Sequence, residues 1–358
     1  MRKASIVIGA NLGDEGKGTI VARLTKPNEK TLNILTNGGS QRGHSILTRD
    51  GSMTFQHFGS GTYFGADNYY SPWFILNPMQ FVSEYQSLIV KPKQIYRDKR
   101  CRWSTPYDVM ANQINEEFMG RKASCGMGIW MTIKRSSDFR SLPFDVFMSL
   151  PYEKRYQHLL EIKAYYEHTS GIMDSWKDTW DSETLIHHFL NDCAVMNVLT
   201  TPADFFTLDY EHYVFENGQG LLLTDTGRDE YDTTPSNTGI AYASVMCKEA
   251  GLYDVTAHYV TRPYMTRHGD GDMKDPINRI LLSSDICEDR TNHYNEHQGE
   301  FRYGELNVFD LCDRIRKDVK GCDFVLDVTH CDEMDITRKL KQVFDEKQII
   351  THDTALVL

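Results

Sequence analysis

The first two dozen residues constrain this chain most. Ala4–Ala10 is a short apolar run rich in β-branched residues, the composition of a buried strand. It stops at Gly13-Asp14-Glu15-Gly16-Lys17-Gly18, and Gly16–Leu24 then reads as the start of a helix. A strand that feeds a glycine-rich turn and then a helix predicts an α/β fold with a largely parallel sheet. The turn also narrows the chemistry. Glycines let successive N–H groups converge on an anion, the helix start adds partial positive charge, and Lys17 adds a full one. The segment is not a Walker A sequence, which has glycine at position 11 and a hydroxyl residue at position 18. Asn11 and Gly18 stand there. The hydroxyl that usually ligates magnesium is therefore missing, and Asp14 is the carboxylate in the loop that can replace it.

A second strand is expected at Thr31–Thr36, followed by Asn37-Gly38-Gly39-Ser40-Gln41-Arg42-Gly43-His44-Ser45. This loop should lie at the same sheet end as the first, where His44 can donate to a phosphate oxygen. His212–Glu216, His258–Arg262 and Cys322–Val328 are further strand candidates, and Tyr152–His168 has helical periodicity. Ligands of open α/β sheets sit beyond the carboxyl ends of strands, so 217–239, 263–272 and 329–335 are the expected ligand loops. Residues 351–358 suit a last strand, and the acidic run at 331–335 suits a solvated helix start.

Length and charge exclude other classes. The 358 residues allow two domains or one large one. With no interdomain linker evident, one large domain over 1–358 is expected, with an inserted loop and helical region at about 100–200. Thirty-nine Lys+Arg against fifty Asp+Glu give a net charge of −11, which argues against clamping nucleic acid through its phosphates. No stretch approaches the roughly 18 apolar residues of a membrane span. The eight cysteines show no zinc or C-x-x-C spacing. They read as reduced thiols of a cytoplasmic protein.

The ordered motifs resemble the adenylosuccinate synthetase family, which carries GDEGKG followed by GGHNAGHT. Here GDEGKG is followed by GGSQRGHS. Glu216-Asn217-Gly218-Gln219-Gly220 is similar to the family's EGAQG, and Thr234-Pro235-Ser236-Asn237-Thr238 to TSSNT. Ser124-Cys125-Gly126-Met127-Gly128-Ile129 is similar to TTGRGIG, and GEFRYGELN at 299–307 to a degenerate aspartate loop. The resemblance implies a mixed, mostly parallel sheet with a P-loop-like phosphate loop and inserted helical subregions. It implies a ligase. A nucleoside triphosphate phosphorylates O6 of a 6-oxopurine nucleotide, and the amine of L-aspartate then displaces the phosphate.

Roles follow by motif match. Asp14 is the base for N1, and His44 steadies O6 and the transferring phosphoryl group. Gly13, Glu15, Gly16, Lys17, Gly18, Gly43 and Ser45 hold the triphosphate. Mg2+ uses Asp14 and the Gly43 carbonyl. Asn37, Gln41, Ser124, Cys125, Gln219 and Thr234 hold the purine nucleotide. Gly299 and Arg302 hold aspartate. An arginine borrowed across a homodimer interface matches Arg140 or Arg135. The loop from Thr261-Arg262 to Thr266-Arg267-His268-Gly269 falls where the family contacts aspartate and ribose.

The departures carry information. The family reads a guanine donor with TKxD. Val328 and His330 stand where its Lys and Asp would be, with Asp332 two residues on as the other candidate. A neutral histidine is a poor acceptor for two guanine donors, so an adenine donor, ATP or dATP, is expected. Glu300 replaces the family's ribose-holding arginine, and Cys125 and Gln41 replace its phosphate-binding Thr and Asn. These changes resemble the phage branch, the PurZ-type synthetases, which join aspartate to dGMP on the route to 2-aminoadenine (diaminopurine) DNA. The expected setting is then the host cytoplasm. Asp14 is kept where some PurZ-type enzymes carry serine, and IMP with GTP is the other reading. A P-loop kinase or GTPase, or a nucleotide-binding protein without chemistry, are the competing classes. Dependence of phosphate release on L-aspartate separates them.

Overall fold

The predicted first strand spans Lys3–Gly9 (β1) and lies at the centre of a nine-stranded sheet. The computed structural model describes residues 2–48, 51–120, 124–138, 141–225, 233–269, 273, 299 and 301–353. In chain order the strands are Thr31–Leu35 (β2), His44–Thr48 (β3), Gly51–Phe55 (β4), Asp67–Tyr70 (β5), Ile75–Leu76 (β6), Ile95–Arg97 (β7) and Arg102–Trp103 (β8). Thr201–Pro202 (β9), His212–Gly220 (β10), Asp254–Thr261 (β11), Tyr264–His268 (β12), Phe301–Glu305 (β13), Asp323–Val328 (β14) and Ile349–Thr351 (β15) follow. The sheet order is β15-β14-β11-β1-β10-β2-β5-β7-β9, and every pairing in it is parallel. Among the described residues, antiparallel pairing is confined to β3–β4 and β12–β13.

Alternation along β1 divides the two faces. Ala4, Ile6 and Ile8 share one face with Tyr213, Phe215, Ala257, Tyr259 and Leu326 in the larger core. Helices Ala241–Glu249 (α9) and Val308–Val319 (α10) cover it through Ala243, Met246, Leu311 and Ile315. On the other face Val7, Val214 and Val260 pack against Ile20 and Val21 of Lys17–Leu24 (α1). That face also carries buried polar groups, among them Asn33, Glu216 and Asp327.

A second core lies beyond the sheet edge. It is formed by Pro78–Ser87 (α2), Pro106–Met119 (α3), Phe144–Ser149 (α5), Tyr152–Thr169 (α6) and Glu183–Leu199 (α8). Ile129–Asp138 (α4) and Lys177–Trp180 (α7) complete this helical part. Helices α3 to α8 lie between Pro106 and Leu199. A buried knot ties three of them. Asp108 caps α3 reciprocally with Thr105. It accepts a bidentate pair from Arg135 of α4 at 2.7 and 3.0 Å, and the hydroxyl of Tyr166 of α6 at 2.6 Å.

Three expectations change. The strand read as His212–Glu216 runs on to Gly220. Gln219 has φ 58°, and the β1 register shifts between Val7 and Gly9, so the ENGQG segment bulges across the end of β1 while still paired. The expected loop 263–272 is largely β12, because Tyr264–His268 finds a partner strand in Phe301–Glu305. The last strand expected at 351–358 is instead Ile349–Thr351, sharing only Thr351 with it; residues 354–358 lie outside the described residues. No described helix is long and apolar enough to cross a membrane. The described cysteines are free thiols.

Candidate functional site

The turn after β1 is built from left-handed residues: Gly13 at φ 107°, Asp14 at 61° and Gly16 at 93°. Only glycine takes such angles without strain, and Asp is among the few other residues that tolerate them. No side chain caps α1, so the helix start is shaped for an anion. Glu15 works from inside the loop. Its Oε1 accepts the N–H groups of Asn11 and Gly13, both at 2.9 Å. Its Oε2 meets the buried Lys17 ammonium at 2.9 Å. The Glu15 carboxylate therefore shapes the loop and aims Lys17. Gly18 has its own reason. A Cβ there would lie 2.8 Å from the Ser45 carbonyl oxygen, so the Walker-type hydroxyl is excluded by the close approach of β3.

Asp14 is half-buried. Burial pushes its carboxyl up, against the pull of His268, Lys17 and Arg262. Its backbone carbonyl accepts Arg262 Nε at 2.7 Å, and that of Gly13 accepts the Thr266 hydroxyl at 2.8 Å. The β11–β12 turn thus braces the loop.

His44 opens β3 and is 8% exposed. Its Nδ1 lies 2.6 Å from Glu216 Oε1. Glu216 sits on β10, wholly buried, and also accepts the Ser60 N–H at 3.0 Å and the Ser60 hydroxyl at 2.8 Å. Arg42 Nη2 is 3.0 Å from the same Oε1 and 3.0 Å from Nδ1. Despite its burial, the Arg42 guanidinium and these donors pull the Glu216 carboxyl down to about 2, so the shared proton belongs to Nδ1. Arg42 then donates to the carboxylate, and Nε2 is the ring atom left for a ligand. Burial, with Arg42 beside it, brings the imidazole down to about 4.

Two of the residues assigned to the purine nucleotide, Gln41 and Gln219, meet at Gly38. A Cβ on Gly38 would come 3.1 Å from Gln41 Nε2 and 3.3 Å from Gln219 Oε1. Both amide atoms of Gln41 and Oε1 of Gln219 are buried and meet no partner among the described residues. Buried amides without partners are rare, and these two have hydrogen-bonding capacity left to meet a ligand. Cys125 Sγ packs 3.7 Å from the Gln41 carbonyl. Ser124 is held by Asn112 at 3.2 Å. Asn37 bridges the loops, accepting the Gly218 N–H at 2.9 Å and donating to Ser236 Oγ at 2.9 Å. The Thr234 N–H bonds the Leu223 carbonyl at 2.7 Å.

The remaining assignments divide. Thr329 Oγ1 donates to the Glu15 carbonyl at 2.7 Å, which brings the loop after β14 onto the phosphate turn. His330, left-handed at φ 59°, has Nδ1 2.9 Å from that hydroxyl. Because the hydroxyl donates to Glu15, Nδ1 carries the ring proton and Nε2 is an acceptor. Asp332 is exposed. Arg302 lies on β13 and bonds the Gly269 carbonyl; Gly299, at φ 71°, precedes it. Arg140 lies outside the described residues. Arg135, the other match for an arginine lent across an interface, is fully buried on Asp108 and is a poor group to lend.

Two hard oxygens, the Asp14 carboxylate and the carbonyl of the exposed Gly43, lie on the loops before α1 and before β3. This suits Mg2+, which takes one or two protein oxygens beside phosphate. No group of three potential metal ligands occurs among the described residues. Sequence reasoning gave no role to Glu216, Arg42 or Ser60. The only signal for Glu216 was its place at the head of ENGQG.

The sequence model of the family described as adenylosuccinate synthetase matches residues 6–320. The adenylosuccinate synthetase of Dehalococcoides mccartyi is 24% identical over 342 residues, covering 92% of this chain and 78% of that protein. That of Synechocystis is 24% identical over 352 residues, covering 94% and 76%. Among solved structures, fully ligated adenylosuccinate synthetase from Plasmodium falciparum superposes with TM-score 0.74 at 17% identity, over 93% of this chain and 78% of that one. The succinoaminodeoxyadenylate synthetase (PurZ) of cyanophage S-2L, bound to dGMP and to dATP as energy donor, superposes with TM-score 0.65 at 12% identity, over 99% and 92%.

Proposed function

Because the chain belongs to the adenylosuccinate synthetase family, a group of carbon–nitrogen ligases that join aspartate to a purine nucleotide using a nucleoside triphosphate and Mg2+, we propose that its nucleotide is dGMP and its donor ATP or dATP. The product is then 2-amino-2'-deoxy-N6-succinyladenylate, a precursor for diaminopurine DNA. The observation that carries the donor assignment is His330. The residue in the guanine-reading place presents a single acceptor, Nε2, fixed by the Nδ1 bond to Thr329. Guanine offers N1–H and a 2-amino group together and wants a carboxylate; the adenine amino group needs one acceptor. The PurZ fold neighbour, which binds dGMP and dATP, supports both assignments.

The chemistry divides between two side chains. Asp14 accepts the N1 proton, so that O6 becomes the nucleophile. O6 attacks the γ-phosphorus, the bond to the leaving diphosphate breaks, and Lys17 with the turn N–H groups steadies the charge; His44, whose Nδ1–H is held by Glu216, joins them when its Nε2 takes up a proton. Asp14 and the Gly43 carbonyl would hold Mg2+, which would supply charge neutralisation at the phosphates. L-Aspartate, its carboxylate held by Arg302, then adds at C6 through its amine; the C6–O6 bond breaks, and phosphate leaves with O6 and takes up the amine proton. The functional unit of this reading is a homodimer, with Arg140 the remaining sequence match for the arginine lent across its interface. The test is phosphate release with L-aspartate, comparing dGMP with IMP across ATP, dATP and GTP. Turnover of dGMP with ATP or dATP is expected. Turnover of IMP with GTP alone sinks both assignments and makes Asp332 the base reader.

A further inference from the structure

We propose that Arg42 is a positioning residue for this reaction, a buried cation that fixes the Glu216 carboxylate and, through it, the ring of His44. The family motif quoted above, GGHNAGHT, carries alanine at this point, where GGSQRGHS has Arg42. The guanidinium is 2% exposed. Its Nη2 meets Glu216 Oε1 at 3.0 Å, the oxygen that also holds His44 Nδ1. Its Nε and Nη1 are buried and find no partner among the described residues, so the one engaged nitrogen faces the dyad. The stem is wedged: a Cβ on Gly218 would come 3.1 Å from Cγ and 3.3 Å from Cδ. Burial works against the charge on Arg42, while Glu216, Glu84 and Tyr70 favour it.

A buried cation carries a large desolvation cost, and a chain that keeps one uses its geometry. The use here is orientation. A carboxylate behind a catalytic histidine fixes its tautomer and ring plane, and here a cation fixes the carboxylate in turn. Ser60 bonds both Glu216 oxygens, and Arg42 joins it at Oε1, which fixes Oε1 against Nδ1 and leaves Nε2 for the ligand.

The inference rests on the ligase reading for its activity readout only. Arg42→Gln is expected to lower kcat about tenfold or more while each KM stays within about threefold. Arg42→Lys recovers part of the loss, and added guanidinium at non-denaturing concentration restores Arg42→Ala. If Arg42→Ala fails to fold, Arg42→Gln and Arg42→Lys decide. Independently of turnover, the downfield NMR signal of the His44 Nδ1 proton, present in the wild type, should broaden or shift in Arg42→Gln. A wild-type kcat in Arg42→Gln overturns the proposal. So does a loss that tracks the folded fraction by circular dichroism and responds to neither lysine nor guanidinium. If the wild type turns over no nucleotide, the ligase reading fails instead, and an unchanged Nδ1 signal in Arg42→Gln still overturns the role of Arg42.

Discussion

At Asp14 the backbone and the chemistry ask for different things. The left-handed turn at φ 61° tolerates aspartate or asparagine; proton transfer needs the carboxylate. Asp14→Asn should therefore fold as the parent does and lose about 100-fold or more of its phosphorylation rate. Positional isotope exchange in the triphosphate, without aspartate, reads that step directly, and near-parental exchange would remove the proposed base. Glu216→Gln tests the next group out. It keeps a side chain that can bond Ser60 and removes the charge facing Nδ1, so kcat should fall with circular dichroism unchanged. Asp14, Lys17 and His44 were legible because their motifs are contiguous. Glu216 and Arg42 were not, because their meaning lies in one shared carboxylate oxygen joining two strands 172 residues apart.

Elements show why particular small residues are fixed. Gly18→Ser would restore a Walker-type hydroxyl in sequence, but its Cβ would sit 2.8 Å from the Ser45 carbonyl. The expected outcome is a loss of about 1–3 kcal/mol in a urea titration, with a raised KM for the triphosphate, rather than a gain in metal binding. In the helical part, the Asp108 knot makes a different prediction. Arg135→Met leaves Asp108 with its hydrogen bonds from Thr105 and Tyr166 but without its cation, and should cost about 3–5 kcal/mol. The remaining folded protein should keep its KM for the purine nucleotide; a selective rise in that KM would instead place Arg135 at a nucleotide. The strand–turn–helix unit at the N-terminus was readable from apolar run and glycine spacing. The hairpin Tyr264–His268 with Phe301–Glu305 was not, because its partner strands lie far apart in sequence.

Across the whole molecule, buried ionisable groups set the response to acid. Burial pulls His57 down to about 3 and His212 to about 4, from 6.5. Between those values and 6.5 the unfolded chain binds protons that the fold does not, so stability falls with falling pH through this window. Glu84 opposes them. Burial raises its carboxyl to about 7 from 4.5, so it adds stability as pH falls from 7 and is exhausted near 4.5. Glu216, at about 2, removes stability below 4.5. The melting temperature should decline gently from pH 7 to 4.5 and steeply below, and Glu84→Gln should steepen the upper range. A melting temperature that rises on acidification from pH 5 to 4 would contradict this balance. The sequence by itself determined the parallel α/β class, the phosphate turn and the family, since each follows from residues close in the chain and from motif order. Only the tertiary structure decided that Glu15 turns inward, that Gly18 admits no hydroxyl, that Gln41 and Gln219 converge on Gly38, and that Arg42, Glu216 and His44 form one unit. Those facts depend on how parallel strands far apart in the chain bring their carboxyl ends to one edge, and local composition does not encode that register.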